Sequence, residues 1–231
     1  MSTEVQPRPD LTSAYRALRE RVSALVAEAS QEQLQATAPA TPEWRVHDVI
    51  AHMVGVPADV LAGRMEGVTT DVWTAAQVDA RRDLPTAALI DEWTTNAATF
   101  EPMLPDFGVM AGQAILDACT HEHDVRDALG APGARDSEAV HIGSGWLADR
   151  IGDFNAAAGH GPVRIETDLW SETYGDGDPV ATLRVSAFEL MRGSTGRRSQ
   201  RQLDTWDWSG MARRELVVMP IFVPRTEDFD G

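Results

Sequence analysis

The chain has 231 residues, 43% of them hydrophobic, enough to bury one large core or a medium core and a small one without a metal or disulfide to hold it. Its formal net charge of −16, from 20 basic against 36 acidic residues, repels phosphate backbones and anionic lipid and argues against a nucleic-acid or membrane partner. Every basic residue is arginine, which excludes lysine Schiff-base chemistry and a lysine-bearing phosphate loop, and the lone Cys119 has no disulfide partner within the chain.

In chain order, Asp10 or Thr12 can cap a helix over Leu11–Ala29, with Leu18, Val22, Leu25 and Val26 as its apolar stripe. A loop over Ala36–Pro42 leads to a second helix near Val46, which Gly55 and Pro57 are expected to interrupt. Further helical periodicity covers Asp71–Arg82, Thr86–Met103 and Gly112–Leu129, with Gly130 placed as the stop of the last. Another helix is expected over Ser137–Ala158. The texture then changes. Val163–Leu169 and Val180–Val185 read as strands, Tyr174–Pro179 as a turn cluster, Phe188–Met191 as the start of a helix, and Leu216–Val223 as a late apolar run. The pattern implies an α+β chain: a helical bundle over residues 1–160, then a small α+β domain over residues 161–231. No signal-like opening or membrane-length apolar run is present, so the expected setting is the cytoplasm, and nothing in the pattern demands more than a monomer.

Ionisable residues are densest in Asp117-Ala-Cys-Thr-His121-Glu-His123-Asp124-Val-Arg126. On a helix, with Asp117 set at 0°, His121 lies near about 40° and Asp124 near about −20°, so the three share a face beside an apolar stripe. Cys119, His123 and Arg126 point to the other side, which suits a small buried cysteine and an exposed histidine. His52 likewise stands at the rim of an apolar stripe, with Asp48 one turn before it. Two helices each presenting a rim histidine, one adding a carboxylate in ligand register, make a possible three-ligand site at His52, Asp117 and His121 with positions left open, as in a catalytic metal centre. The same spacing is equally that of a hydrogen-bonded helix-edge histidine and a solvated aspartate.

Two stretches bear a resemblance that favours the first reading. Trp44-Arg45-Val46-His47-Asp48-Val49-Ile50-Ala51-His52 resembles the opening of the second helix in the mycothiol-dependent maleylpyruvate isomerase family, a branch of the DinB-like bundles. Asp117, His121, Asp124, Val125, Arg126 and Gly130 resemble that family's later metal-binding helix. A third stretch, from Phe188 through Arg192, Gly196, Arg197, Arg198, Ser199 and Gln202 to Asp207–Gly210, looks like its small C-terminal domain. The resemblance implies a DinB-like four-helix-type bundle followed by a small α+β domain. It implies a divalent metal, usually taken as zinc, on His52, Asp117 and His121, although the founding isomerase type carries a glutamate where this chain has Asp117. It also implies mycothiol as the thiol cosubstrate: a metal-stabilised thiolate attacking a small electrophile, in isomerisation or S-transfer.

Around that core, Asp124 and Asp48 are candidates to orient the metal histidines, with helix capping as the alternative for Asp48. Arg197 is a candidate to clamp a substrate carboxylate, and Arg126 and Arg198 to bind the anionic cofactor or substrate, with an ordinary ion pair as the alternative for Arg126. The tryptophans are expected to pack the core and domain junction, one or two lining a pocket. Two rival functions use the same fold: a hydrolase that draws hydroxide from water at the same metal, and a non-catalytic small-molecule-binding bundle.

Overall fold

The computed structural model describes residues 10–210, 217 and 222–231. Most of the expected apolar run Leu216–Val223 lies outside these residues. The first seven helices are α1 (Leu11–Glu28), α2 (Gln31–Gln35), α3 (Val46–Ala62), α4 (Asp71–Asp79), α5 (Thr86–Met103), α6 (Val109–Ala128) and α7 (Glu138–Ala157). The chain then forms β1 (Val163–Glu166), β2 (Ser171–Tyr174), β3 (Ala181–Arg184), α8 (Ala187–Ser194), α9 (Gln200–Asp204) and β4 (Asp207–Gly210). The architecture is therefore α+β, a helical bundle with a small four-stranded sheet near its C-terminal end. Among the described residues no helix is long and apolar enough to cross a membrane.

Local signals set most helix starts. Asp10 accepts from Ser13 N at the start of α1, and Ser137 from Val140 N at the start of α7. Gly130, at φ +63°, adopts the left-handed conformation that closes α6. A short 3-10 turn over Leu104–Phe107, carrying Pro105, follows the end of α5 at Met103, and α6 begins three residues before the expected Gly112. One expectation fails outright: α3 runs unbroken through Gly55 and Pro57. Its residues Val46–Gly55 are all buried, and this packing holds the helix across a position that would break an isolated peptide.

Two strands were not expected. β2 pairs antiparallel with β1, β1 pairs parallel with β3, and β3 pairs antiparallel with β4, so the order is β2-β1-β3-β4. The edge strands Ser-Glu-Thr-Tyr and Asp-Trp-Ser-Gly are short and largely exposed, and they lack the apolar alternation that betrays a half-buried strand. Buried apolar side chains form one cluster, from Leu18, Val22 and Ile50 in the bundle through Leu147 and Ile151 of α7 to Val163, Ile165 and Leu183 of the sheet.

Arginine carboxylate clamps tie α1 to its neighbours. Arg16 and Arg19 both reach Glu101 of α5 at 2.8 Å. Arg21 grips Glu122 of α6 with two bonds, at 2.8 and 2.7 Å, and Arg126 bonds the same carboxylate at 2.9 Å. Glu122 is fully buried, so its charge is tolerable only because two guanidiniums face it. Glu122→Ala leaves both arginines without their carboxylate and is expected to lower unfolding free energy by about 3–5 kcal/mol. A urea titration of the variant against wild type measures this.

Candidate metal centre

α3 and α6 pack together and bring three side chains to one point. His52 Nε2 lies 3.4 Å from Asp117 Oδ2, and His121 Nε2 lies 3.8 Å from Asp117 Oδ1. The two imidazoles meet edge to face with centroids 5.0 Å apart. The indole of Trp44 walls the group, 5.5 Å from the His52 ring and 5.9 Å from that of His121. Both histidines are buried, whereas the Asp117 side chain is 36% exposed, so the group opens to solvent on the carboxylate side.

Each histidine is fixed from behind. His52 Nδ1 sits 2.7 Å from Gln77 Oε1, and His121 Nδ1 sits 3.0 Å from Asp124 Oδ2. With Nδ1–H donated to an oxygen, the lone pair of each ring is left on Nε2, facing the other donors. Asp124 is itself fully buried. Arg192 Nη1 reaches its Oδ1 at 2.6 Å, and Arg197 Nη2 reaches its Oδ2 at 2.9 Å.

The charges follow. Burial pushes the Asp117 carboxyl up, but the His52 charge and hydrogen bond outweigh it and bring the group down to about 2. Burial likewise works against a charged His52, yet Asp117 raises it above the ordinary imidazole value. His121 is lowered, because burial outweighs its bond to Asp124. Asp124 lies well below the usual carboxylate range: burial opposes ionisation, and the Arg197 and Arg192 charges overcome that cost.

This donor set fits a divalent metal. The three ligand atoms lie within 4.8 Å of one another. Tetrahedral ligands about 2.0–2.1 Å from a zinc ion stand roughly 3.3 Å apart, close to the His52–Asp117 and His121–Asp117 separations. In the neutral rings both Nε2 atoms present lone pairs, and the outward Nδ1 atoms already face the oxygen acceptors that metal-binding histidines need.

The chain matches the family described as mycothiol maleylpyruvate isomerase N-terminal domain over residues 15–217. It belongs to this family. Two solved structures, of the mycothiol-dependent maleylpyruvate isomerase and of a point mutant of it, are similar to this chain at 14% identity, with TM-scores of 0.57 and 0.58. Each comparison covers 92% of this chain and 98% of the other, so the family's fold extends over both the bundle and the sheet. Among curated proteins, no sequence matches.

The remaining family-motif residues divide. Arg197 joins the site through Asp124, and its charge bears on both Asp117 and His52. Its Nη1 bonds Thr195 O at 2.7 Å, and its buried Nε has no hydrogen-bond partner. Arg126 is not brought to the group; it lies on the opposite face of α6, bonded to Glu122 and Ala131 O. Arg198 is buried against Glu189, with further bonds to the carbonyls of Arg197 and Gly231. Asp48 caps α3, accepting from Arg45 N and its guanidinium, so the acceptor of His52 is Gln77 instead. Gln77 escaped the sequence reading because a glutamine on a short separate helix carries no spacing signal toward a histidine 25 residues earlier. Among the tryptophans, of which one or two are expected to line a pocket, Trp44 walls the site.

His123 corrects another expectation. It is buried, not exposed, and packs edge-on against Phe188 of α8 at 4.7 Å. The outer face of α6 is covered by the C-terminal segment, a packing that helical periodicity alone does not reveal. Burial, reinforced by the Arg192 and Arg126 charges, pushes the His123 pKa down to about 3. In the unfolded chain it titrates near about 6.5. Its contribution to stability is therefore complete above that value and is lost as pH falls toward the folded value. From pH 7 to pH 5 the wild type should lose about 2 kcal/mol more than His123→Phe, read from chemical denaturation at both pH values.

Proposed function

We propose that this chain is a mycothiol-dependent enzyme of the maleylpyruvate isomerase type, with His52, Asp117 and His121 holding a divalent metal, for which zinc best suits the donor set. The observation that carries the metal assignment is the convergence of two Nε2 atoms on Asp117, each ring with an oxygen behind it at Nδ1. The thiol part of the reading rests on family membership. A metal held by these donors supplies the positive charge that keeps the cosubstrate thiol ionised at neutral pH.

The chain's own residues do the rest. Gln77 and Asp124 hold the imidazoles in the ligating tautomer. Trp44 shields one side of the site, leaving approach from the exposed side of Asp117. Arg197, held by Asp124, adds a positive charge whose field reaches Asp117 and His52 and that complements the carboxylate of a small unsaturated acid. Cys119 takes no part: burial pushes its thiol far above the usual range, and it is not among the converging donors. Isomerisation and S-transfer share one opening event, attack of a thiolate on an electrophilic carbon: addition to an activated double bond permits rotation in the first, and displacement of a leaving group completes the second. A localisation in the cytoplasm and a monomeric state fit a small thiol and a small electrophile as the only partners. The helical part (1–160) supplies the metal donors, and the C-terminal part (161–231) supplies Arg197.

Metal analysis of untagged protein tests the reading. Wild type is expected to hold about one equivalent of zinc, with affinity reduced more than about 100-fold in His121→Ala. Loading at pH 7 is expected to release protons, since His52 is raised and must shed its proton to ligate; calorimetry in two buffers of different ionisation enthalpy measures this. Wild-type protein that takes up no divalent ion would sink the metal assignment. Turnover of maleylpyruvate with mycothiol, and none without it, is the expected activity. Turnover with no thiol present points to hydrolysis instead.

A further inference from the structure

The two histidines are held by different means, and the His52 arrangement extends two side chains back. Gln77 is 2% exposed, and its Oε1 lies 2.7 Å from His52 Nδ1. Its Nε2 donates to Asp59 Oδ2 at 2.8 Å, while Asp59 Oδ1 accepts from Arg64 Nε at 2.8 Å. An ionised carboxylate can only accept. The amide must therefore turn its NH2 toward Asp59, which leaves its carbonyl facing His52. A carbonyl also only accepts, so Nδ1 must carry the ring proton and Nε2 the lone pair. The amide orientation thus follows from chemistry, independent of any assignment of its N and O atoms.

The room for this contact comes from α3 itself. His52, Gly55 and Asp59 lie on one face, at spacings of three and four residues. A Cβ at Gly55 would meet Gln77 Cβ at 2.6 Å and Cγ at 2.8 Å. The glycine therefore admits α4 closely enough for a glutamine to reach both its neighbours. Arg81 Nη1 steadies the same residue by bonding Gln77 O at 3.2 Å.

The geometry points to Gln77, aimed by Asp59, as the positioning residue that fixes the tautomer and ring orientation of His52, with Gly55 as the space that permits it. The inference rests on His52 being a metal ligand for its functional meaning, but the tautomer itself is a property of the metal-free protein. In Asp59→Asn the anchor can donate as well as accept, so the amide is free to turn its NH2 toward Nδ1 and favour the wrong tautomer. In Gln77→Leu the acceptor is gone. The double exchange Asp59→Asn with Gln77→Glu keeps volume and charge, and it restores an acceptor against Nδ1 with a donor behind it.

The test combines nitrogen-15 NMR of the His52 ring in metal-free protein at pH 9 with zinc affinity against a competing chelator. Expected are an Nδ1–H ring in wild type and in the double exchange, and a mixed or Nε2–H ring in Asp59→Asn. Zinc affinity should fall about 10–100-fold in Asp59→Asn and Gln77→Leu, and return in the double exchange. A His52 ring that stays Nδ1–H in both single variants, with zinc affinity within twofold of wild type, overturns the inference, as does an Nε2–H ring in wild type. Should wild type bind no zinc at all, the metal reading falls while the NMR result still decides whether Gln77 sets the tautomer.

Discussion

A single buried carboxylate holds the two halves of the chain in register with the site. Asp124 has no solvent exposure, and neither does Arg192, its partner from α8. A charge so placed would be prohibitively costly alone; two guanidiniums and the His121 ring make it tolerable. Because both arginines come from the C-terminal segment, α8 and the turn after it are fastened to α6 by the same carboxylate that orients His121. Removing the carboxylate would unfasten both at once. The electrostatic influence of Arg197 on Asp117 is thus a consequence of how the fold neutralises Asp124.

The same logic runs through the bundle. Glu101 and Glu122 are buried carboxylates at the seams between α1 and its neighbours, each gripped by two arginines. Guanidinium suits this task because its planar fork engages both oxygens of a carboxylate and is never deprotonated. A chain whose only basic residues are arginines therefore spends many of them on internal fastening, and its acidic excess is left on the surface.

At the site the two imidazoles differ in what stands behind them. His121 donates to a charged carboxylate, itself shared with two cations, and His52 to a neutral amide whose charge lies one side chain further back. Asp117 then sits between an imidazole whose pKa is raised and one whose pKa is lowered. That asymmetry is compatible with a site that gives up one proton when a cation arrives. Over a family fold shared at only 14% identity with solved relatives, such local bonding is what the chain's own residues contribute.

Much of this was legible in the sequence. Period-3.6 patterning and caps located α1, α5 and α7 to within a residue or so, because those signals depend on neighbours only a turn away. The i,i+4 spacing of Asp117 and His121 placed them on one face by helix geometry alone. Tertiary packing decided the rest. Whether α3 survives Gly55 and Pro57 depends on what it packs against, and the edge strands β2 and β4 exist only because β1 and β3 offer them partners. His123 is buried because α8 covers a face that periodicity had assigned to solvent. Gln77 reaches His52 because a glycine lets two helices approach. A side chain's direction is set within its own helix, but its surroundings are set by elements distant in the chain, and no local pattern records them.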